Sequence, residues 1–318
     1  MFGNKQYTYF LGGITMIMLT NQNFKNAGAF IKENGRYLEK ALFGYYFEKG
    51  TIEDVLKELS KYQNEDGGFG HALECDVRLT SSNQLATSLA FQLFSELNIS
   101  DDNEIVTRAI DYVVLNYKAE FKGWLMLPPE VEEVPRAIWW NYDSNKDNMY
   151  NCNPSAEIAG YLSRYKKLAP QNIVNESVNA AIDHLNENYD NFNMHDILCY
   201  QRMSKEVSNE QKELILSKLR KRLRNATNFN TEKWIGYEAR PLSYIHDPSD
   251  ELANEFSKDE LAINLDYVIN EQQENGSWTP TWNWCRFEEE WKLAEKEWMG
   301  VITLNNLKIL KAFNRITL

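Results

Sequence analysis

Cysteine is sparse in this chain, with four in 318 residues at positions 75, 152, 199 and 285 and no C-x-x-C pair among them. That spacing argues against a disulfide-stapled secreted scaffold and suits a reducing cytoplasm. Glycine (15) and proline (8) are also few, and no Pro/Gly/Ser-rich linker interrupts the sequence, so one domain is expected. No alternating Val/Ile/Thr stretch is long enough to predict a sheet. The apolar run Tyr7 to Leu19 falls short of the ~20 residues that span a bilayer, so no stable membrane insertion is expected. Basic charge is in deficit, 34 Lys and Arg against 46 Asp and Glu, and a net charge of −12 repels nucleic acid and anionic lipid. The one basic run, Lys218 to Arg224, reads as a solvated helix face. Walker-type glycine loops, G-x-S-x-G elbows, H-E-x-x-H pairs and D-D-x-x-D clusters do not occur. Asp101-Asp102-Asn103-Glu104 comes nearest to the last, and it fits a helix cap and first turn, where acids oppose the positive dipole end. Neither a metal nor a cofactor is expected.

What the sequence does carry is helical periodicity. Amphipathic segments are predicted at about Asn23 to Lys49, Ile52 to Tyr62, Asn83 to Leu97, Asn103 to Tyr117 and Pro154 to Leu168. Others follow at Val174 to Tyr189, Met194 to Lys205, Asn209 to Arg224, Lys258 to Gln273 and Trp298 to Asn314. Leu85, Leu89, Leu93 and Leu97 recur every four residues while Ala86, Ala90 and Phe94 widen the stripe, which predicts a helix buried on more than one side. The fold class is therefore all-α. Irregular stretches at Phe121 to Asn153, Phe229 to Pro248 and Thr279 to Lys296, the last expected to end helical, hold Trp124, Trp139, Trp140, Trp234, Trp282 and Trp284. Loops this long in a compact domain are usually functional.

One internal repeat stands out. Gln63-Asn64-Glu65-Asp66-Gly67-Gly68-Phe69 recurs as Gln272-Gln273-Glu274-Asn275-Gly276-Ser277-Trp278, each copy closing one predicted helix and leading towards another. A polar residue and a glycine make a tight turn that needs a positive φ, and the aromatic then plugs back between helices. These residues resemble the Q-x-x-D-G-G/S-W/F repeat of the terpenoid cyclase and protein prenyltransferase superfamily. The stretches Gly68 to Glu74, Trp139-Trp140, Asn153-Pro154 through Glu157, and Arg240-Pro241-Leu242 resemble a bacterial branch of it. The resemblance implies an α/α toroid of five or six paired helices over residues 23 to 318. Prenyltransferase-type zinc ligation is not matched, because Cys75 directly precedes Asp76, whereas there one residue separates the ligands and the Asp comes first.

The leading residues 1 to 22 read as an N-terminal extension. Gly12-Gly13 can be encoded by a purine-rich sequence, so Leu11 to Thr15 are read as a translated ribosome-binding site, with a start at Met16 or Met18. Thr20-Asn21-Gln22-Asn23 offers no small-residue cleavage site for a signal peptide.

Three clusters are candidates for chemistry. Between the first motif copy and the next helix lies His71-Ala72-Leu73-Glu74-Cys75-Asp76-Val77-Arg78. Glu74 and Asp76, two apart in an extended segment, project to one side, and carboxylates that close raise one another's pKa towards a usable general acid. The superfamily's class II cyclases protonate an alkene or epoxide with such an acid, which implies Asp76 as donor and Glu74 as its partner. An ion-pair and capping cluster with Arg78 is the structural alternative. Trp139 and Trp140 form the second cluster, where ring faces stabilise cations, stack on sugars or plug a loop. The third is Trp234 to Leu242, with Tyr237 beside Arg240; Arg240 precedes a proline and offers a fixed guanidinium to carboxylate or phosphate. With His71 and Trp278 these complete the expected substrate-binding set. The leading expectation is acid-initiated cyclisation of an isoprenoid or other apolar chain. Carbohydrate binding or cleavage and a non-catalytic binding scaffold are the alternatives.

Overall fold

The computed structural model describes residues 8–11, 14–146 and 149–317. In chain order the elements are strands β1 (Thr8–Leu11) and β2 (Ile14–Ile17), then helices α1 (Asn21–Asn34), α2 (Tyr37–Phe47), α3 (Ile52–Leu59), α4 (Gln84–Glu96) and α5 (Glu104–Leu115). They continue as α6 (Cys152–Arg164), α7 (Gln171–Asn188), α8 (Met194–Ser204), α9 (Asn209–Leu223), α10 (Pro241–Tyr244), α11 (Lys258–Asn270) and α12 (Glu288–Ala312). The protein is all-α, as its periodicity predicts. The one pair of strands among the described residues is the antiparallel hairpin of β1 and β2, with Thr8 opposite Ile17. No helix among the described residues is long and apolar enough to cross a membrane.

The chain divides into two compact units. Unit 1 comprises Met1–Val55, Thr227–Asn283 and Trp291–Leu318; unit 2 comprises Leu56–Ala226 and Trp284–Glu290.

In unit 2, α6 packs on α4, α7 and α8, and α8 on α9. Small residues let α6 approach closely: a Cβ on Gly160 would come within 2.9 Å of the Met203 Cα on α8. On α4 the residues Ala90, Phe91 and Phe94 are fully buried, and the Phe91 ring stacks on Tyr161 of α6 at 5.3 Å. Leu89 and Leu93 are half-buried, so the helix is enclosed nearly all round, as its widened stripe predicts. The basic run on α9 is a flank: Leu219 and Leu223 are buried, Lys218 sits over the Tyr189 ring and Arg222 donates to the Phe192 carbonyl.

Unit 1 corrects two predicted boundaries. The segment expected as one helix from Asn23 to Lys49 breaks at Gly35, whose N–H ends α1 on the Ile31 carbonyl. The break has a packing reason, because a Cβ on Gly300 of α12 would lie 3.1 Å from the Gly35 Cα. α12 itself starts at Glu288, ten residues before the predicted Trp298, with three glutamates in its first turn. Of the leading segment, residues 1 to 7, 12 and 13 lie outside the described residues. The end of that segment is built into unit 1: Leu19 is fully buried and exchanges backbone hydrogen bonds with Arg315 and Thr317, and Arg315 donates to the Ile17 carbonyl and to Asp266.

The two motif copies have matching hydrogen bonds. Gln63 Nε2 donates to the carbonyls of Gly67 and Ile105, each at 2.9 Å; Gln272 Nε2 donates to those of Gly276 (2.9 Å) and Asn23 (3.0 Å). Gly67 has φ 89° and Gly276 φ 90°, the left-handed region that a side chain resists. A Cβ would also strike backbone, 2.2 Å from the Arg108 oxygen in the first copy and 2.4 Å from the Asn26 carbonyl carbon in the second. The plugging aromatics are anchored alike: Phe69 N–H donates to Thr87 Oγ1 of α4 (3.0 Å), and Trp278 N–H to Thr303 Oγ1 of α12 (3.1 Å). Each motif thus ties its own turn to the first turn of one helix and anchors its aromatic on a threonine of another, Thr87 in the first turn of α4 and Thr303 well inside α12. For the first copy those helices are α5 and α4. For the second they are α1 and α12, so the first helix of the chain takes the place that α5 takes in the earlier copy.

Candidate functional site

The acids lie in unit 2, on a turn and not on the extended segment expected. His71 and Ala72 adopt φ 53° and 57°, which coils the chain, and the Val77 N–H closes a turn on the Glu74 carbonyl at 3.1 Å. Glu74 and Asp76 are nevertheless both buried, 9% and 4% exposed. A Glu74 oxygen faces the Asp76 N–H at 3.3 Å. The Asp76 carboxyl accepts the indole N–H of Trp284, 2.7 Å away, from a residue 208 positions later. Trp284 is only 1% exposed, so this bond is dry, and leaving such a buried acceptor unmet costs ~1–3 kcal/mol. His71 is exposed and donates from Nε2 to Asn64 Oδ1 at 2.8 Å, which returns it to the motif turn.

Backbone strain collects on the two segments that meet at this bond. Besides His71 and Ala72, the residues flanking Trp284 include Cys285 (φ 54°) and Phe287 (φ 50°). Left-handed conformations of non-glycine residues cost ~1–3 kcal/mol each and persist where the surroundings impose them.

A third segment completes the cluster. Arg78 N–H donates to the Pro135 carbonyl and Ala137 N–H to the Asp76 carbonyl, laying residues 135 to 137 along the acid turn. Arg136 between them is 2% exposed, and its guanidinium is held by the Glu132 and Val134 carbonyls and the Glu132 carboxylate. The Tyr142 N–H donates to Glu132 at 2.7 Å; that bond, with Arg136 and Arg286 nearby, lowers the Glu132 pKa. Arg286 ties the Trp284 segment to the same loop by donating to Asn141 Oδ1 at 3.1 Å.

From Ala137 the chain enters a single turn, Ile138–Trp140, beside a concave pocket of about 150 Å³. Its walls include Phe121, Trp124, Trp139, Trp140, Tyr142 and Asn151. Trp140 packs on an apolar cluster of Val77, Leu79, Leu85, Leu127 and Val131, which fixes its ring. Its Nε1 is buried without a hydrogen-bond partner. Leaving such a donor unmet costs ~1–3 kcal/mol. Trp139 is 47% exposed, so a large ring face stands at the edge of the same pocket.

The remaining expected residues belong to unit 1. Trp278 is a buried plug whose indole N–H donates to the Val268 carbonyl at 2.6 Å. Tyr237 is half-exposed, its ring edge-on to Trp282 at 5.3 Å. Arg240 lies over the rings of Tyr267 (5.1 Å) and Trp234 (6.0 Å), and burial lowers its pKa. The long loops' tryptophans split by role: Trp124 and Trp234 are plugs donating to the Val113 and Asn228 carbonyls.

Two polar features escaped the sequence reading. Glu157 of α6, 2% exposed, pairs with Arg202 of α8 at 2.8 Å and accepts from Gln92 of α4, an ionic tie across three helices. His184 of α7 is half-buried, stacks on Phe192 and bonds Tyr200 Oη at 3.1 Å; burial lowers its pKa. Among the described residues no group of three or more His, Cys, Asp and Glu side chains could hold a metal ion. All four cysteines are free thiols.

Comparison with known proteins matches no family model, no curated protein and no solved structure.

Proposed function

We propose that this chain is a small-ligand-binding protein whose ligand occupies the aromatic pocket of unit 2. The observation that carries this reading is Trp139, a large aromatic side chain 47% exposed at the edge of a pocket walled by Phe121, Trp124, Trp140 and Tyr142. Ligand sites are concave places that combine apolar walls with a few polar groups, and Asn141, Asp143 and Asn151 are the polar residues among the aromatic walls here. The α/α toroid implied by the repeat is part of the proposal, supported by the matched motif bonds in which α1 follows α12 as α5 follows α4. Free cysteines support a cytoplasmic location and the net charge of −12 supports the absence of a nucleic-acid partner. Titrating candidate ligands while following intrinsic fluorescence tests the pocket. Quenching or a blue shift that Trp139→Ala removes is the expected result; an identical response in wild type and variant refutes the pocket as the site.

A second reading, acid-initiated cyclisation with Asp76 as proton donor and Glu74 beside it, is favoured by one observation. The buried Asp76 carboxyl is aimed by the Trp284 indole, and strained backbone brackets both residues. On this reading Asp76→Asn keeps the fold and loses the ~10²–10⁴ in rate that a general acid supplies. Isoprenoid turnover that survives in the Asn variant would end it.

A further inference from the structure

Unit 1 holds a positive charge that the chain clamps but does not pair. Arg240 is extended ahead of Pro241 (φ −114°, ψ 166°), and its N–H donates to Ser243 Oγ at 3.0 Å, which fixes where the side chain leaves the backbone. The guanidinium lies over the rings of Tyr267 at 5.1 Å and Trp234 at 6.0 Å. Those rings are themselves locked. They meet edge-on at 5.2 Å, Tyr267 Oη donates to the Trp234 carbonyl at 3.0 Å, and Trp234 Nε1 donates to the Asn228 carbonyl at 2.8 Å.

Arg240 is half-buried, and burial lowers its pKa, the mark of a charge partly stripped of water. An opposite charge offsets that cost, yet the guanidinium has no hydrogen-bond or ion-pair partner among the described residues. Glu238, two residues earlier, is turned to the Asn228 amide at 3.0 Å. Glu271 acts on the guanidinium through space without forming an ion pair. Nor is the group sealed: the unmet side-chain atoms closed off from solvent include Arg136 Nε and Trp140 Nε1 but none of Arg240. Apolar surface flanks the clamp. Ile235, next to Trp234, is 79% exposed, and Ile263, one turn before Tyr267 on the same face of α11, is 51% exposed.

A planar guanidinium offers parallel N–H donors that match two oxygens of one acid group. Glu271 and the net charge of −12 oppose a doubly charged ligand more than a singly charged one. We infer that Arg240 recognises a monocarboxylate with a small apolar body, its two oxygens accepting from the guanidinium while the body lies against the exposed isoleucines. This site is independent of the aromatic pocket of unit 2.

The test is saturation-transfer NMR on the full chain with phenylacetate, its neutral amide phenylacetamide and acetate, with inorganic phosphate added as a competitor. Phenylacetate should receive saturation, acetate less and phenylacetamide none. Arg240→Lys, which keeps the charge and loses the planar fork, should weaken phenylacetate binding roughly tenfold. Glu271→Gln, which removes the opposing charge, should tighten it. Phenylacetate binding that is equal in wild type and Arg240→Lys, or matched by phenylacetamide, would overturn Arg240 as the recognition residue. Phosphate displacing phenylacetate at the lower concentration would overturn the assignment to a single charge. Silence from every probe would overturn the inference outright, and a lower melting temperature in Arg240→Lys would then identify Arg240 as a structural clamp.

Discussion

Replacing Gln63 by glutamate changes two atoms of shape very little and reverses the chemistry of one. Gln63 Nε2 donates to two carbonyls, both at 2.9 Å, one in its own turn and one at Ile105 in α5. Truncation in Gln63→Ala removes both bonds, and at ~0.5–1.5 kcal/mol apiece the expected loss is ~1–3 kcal/mol. In Gln63→Glu a carboxylate oxygen faces those same two carbonyl oxygens, so the bonds are lost and a charge is set against two acceptors. The expected loss is then larger, ~2–4 kcal/mol, since unmet charged groups cost more than unmet neutral ones. Gln272→Ala and Gln272→Glu should show the same order, because Gln272 has the equivalent partners in Gly276 and Asn23. Urea unfolding of the four variants, extrapolated linearly to water, measures all of these values. A glutamate variant no less stable than its alanine counterpart would refute the view that the glutamine's donor holds the turn to the neighbouring helix. So would a Gln272 pair that ignored the trend of the Gln63 pair.

Gly276→Ala should destabilise by at least ~1–2 kcal/mol from the left-handed backbone alone, with the 2.4 Å approach to Asn26 adding to it; thermal melts beside Gly236→Ala, an uncrowded position, provide the check. Trp284→Phe should cost ~1–3 kcal/mol by stripping the donor from Asp76, whereas Asp76→Asn retains an acceptor and should cost less; a double-mutant cycle with no coupling would refute the bond's role. His184 has its pKa lowered by burial, so the unfolded chain binds the proton more readily than the folded one. Its contribution to stability is then complete above the unfolded value near 6.5 and falls as the pH drops through the folded value. Denaturation midpoints across that window should show a loss that His184→Phe diminishes.

The helices and the repeat were legible because each is a local pattern. Gln63 to Phe69 and Gln272 to Trp278 contain their own turn chemistry, and the left-handed φ at Gly67 and Gly276 follows from the glycine itself. The break at Gly35 was not legible, since its cause is the approach of Gly300 from a distant helix. For the site, Glu74 and Asp76 were found as acids, but their geometry was misread: nothing in His71-Ala72 announces two successive positive φ values, which surrounding structure imposes. Trp284 stood out only as one tryptophan in a long loop, because a partner 208 residues away leaves no mark in either local sequence.

The second motif copy has a consequence for how the chain is made. Gln63 reaches a partner 42 residues away, which leaves the ribosome soon after it, so the first turn can be tied down while synthesis continues. Gln272 takes its partner from α1, 249 residues earlier, and anchors its aromatic on Thr303 near the other end. Until those last residues emerge, the first helix of the chain has no turn to receive. α1 can pack early on the adjacent α2 through Phe24, Phe43 and Phe47, but its contacts with the second motif must wait. A ribosome stalled before Gln272 has emerged would therefore display most of unit 2 with the first turn of α1 still lacking its bond from Gln272.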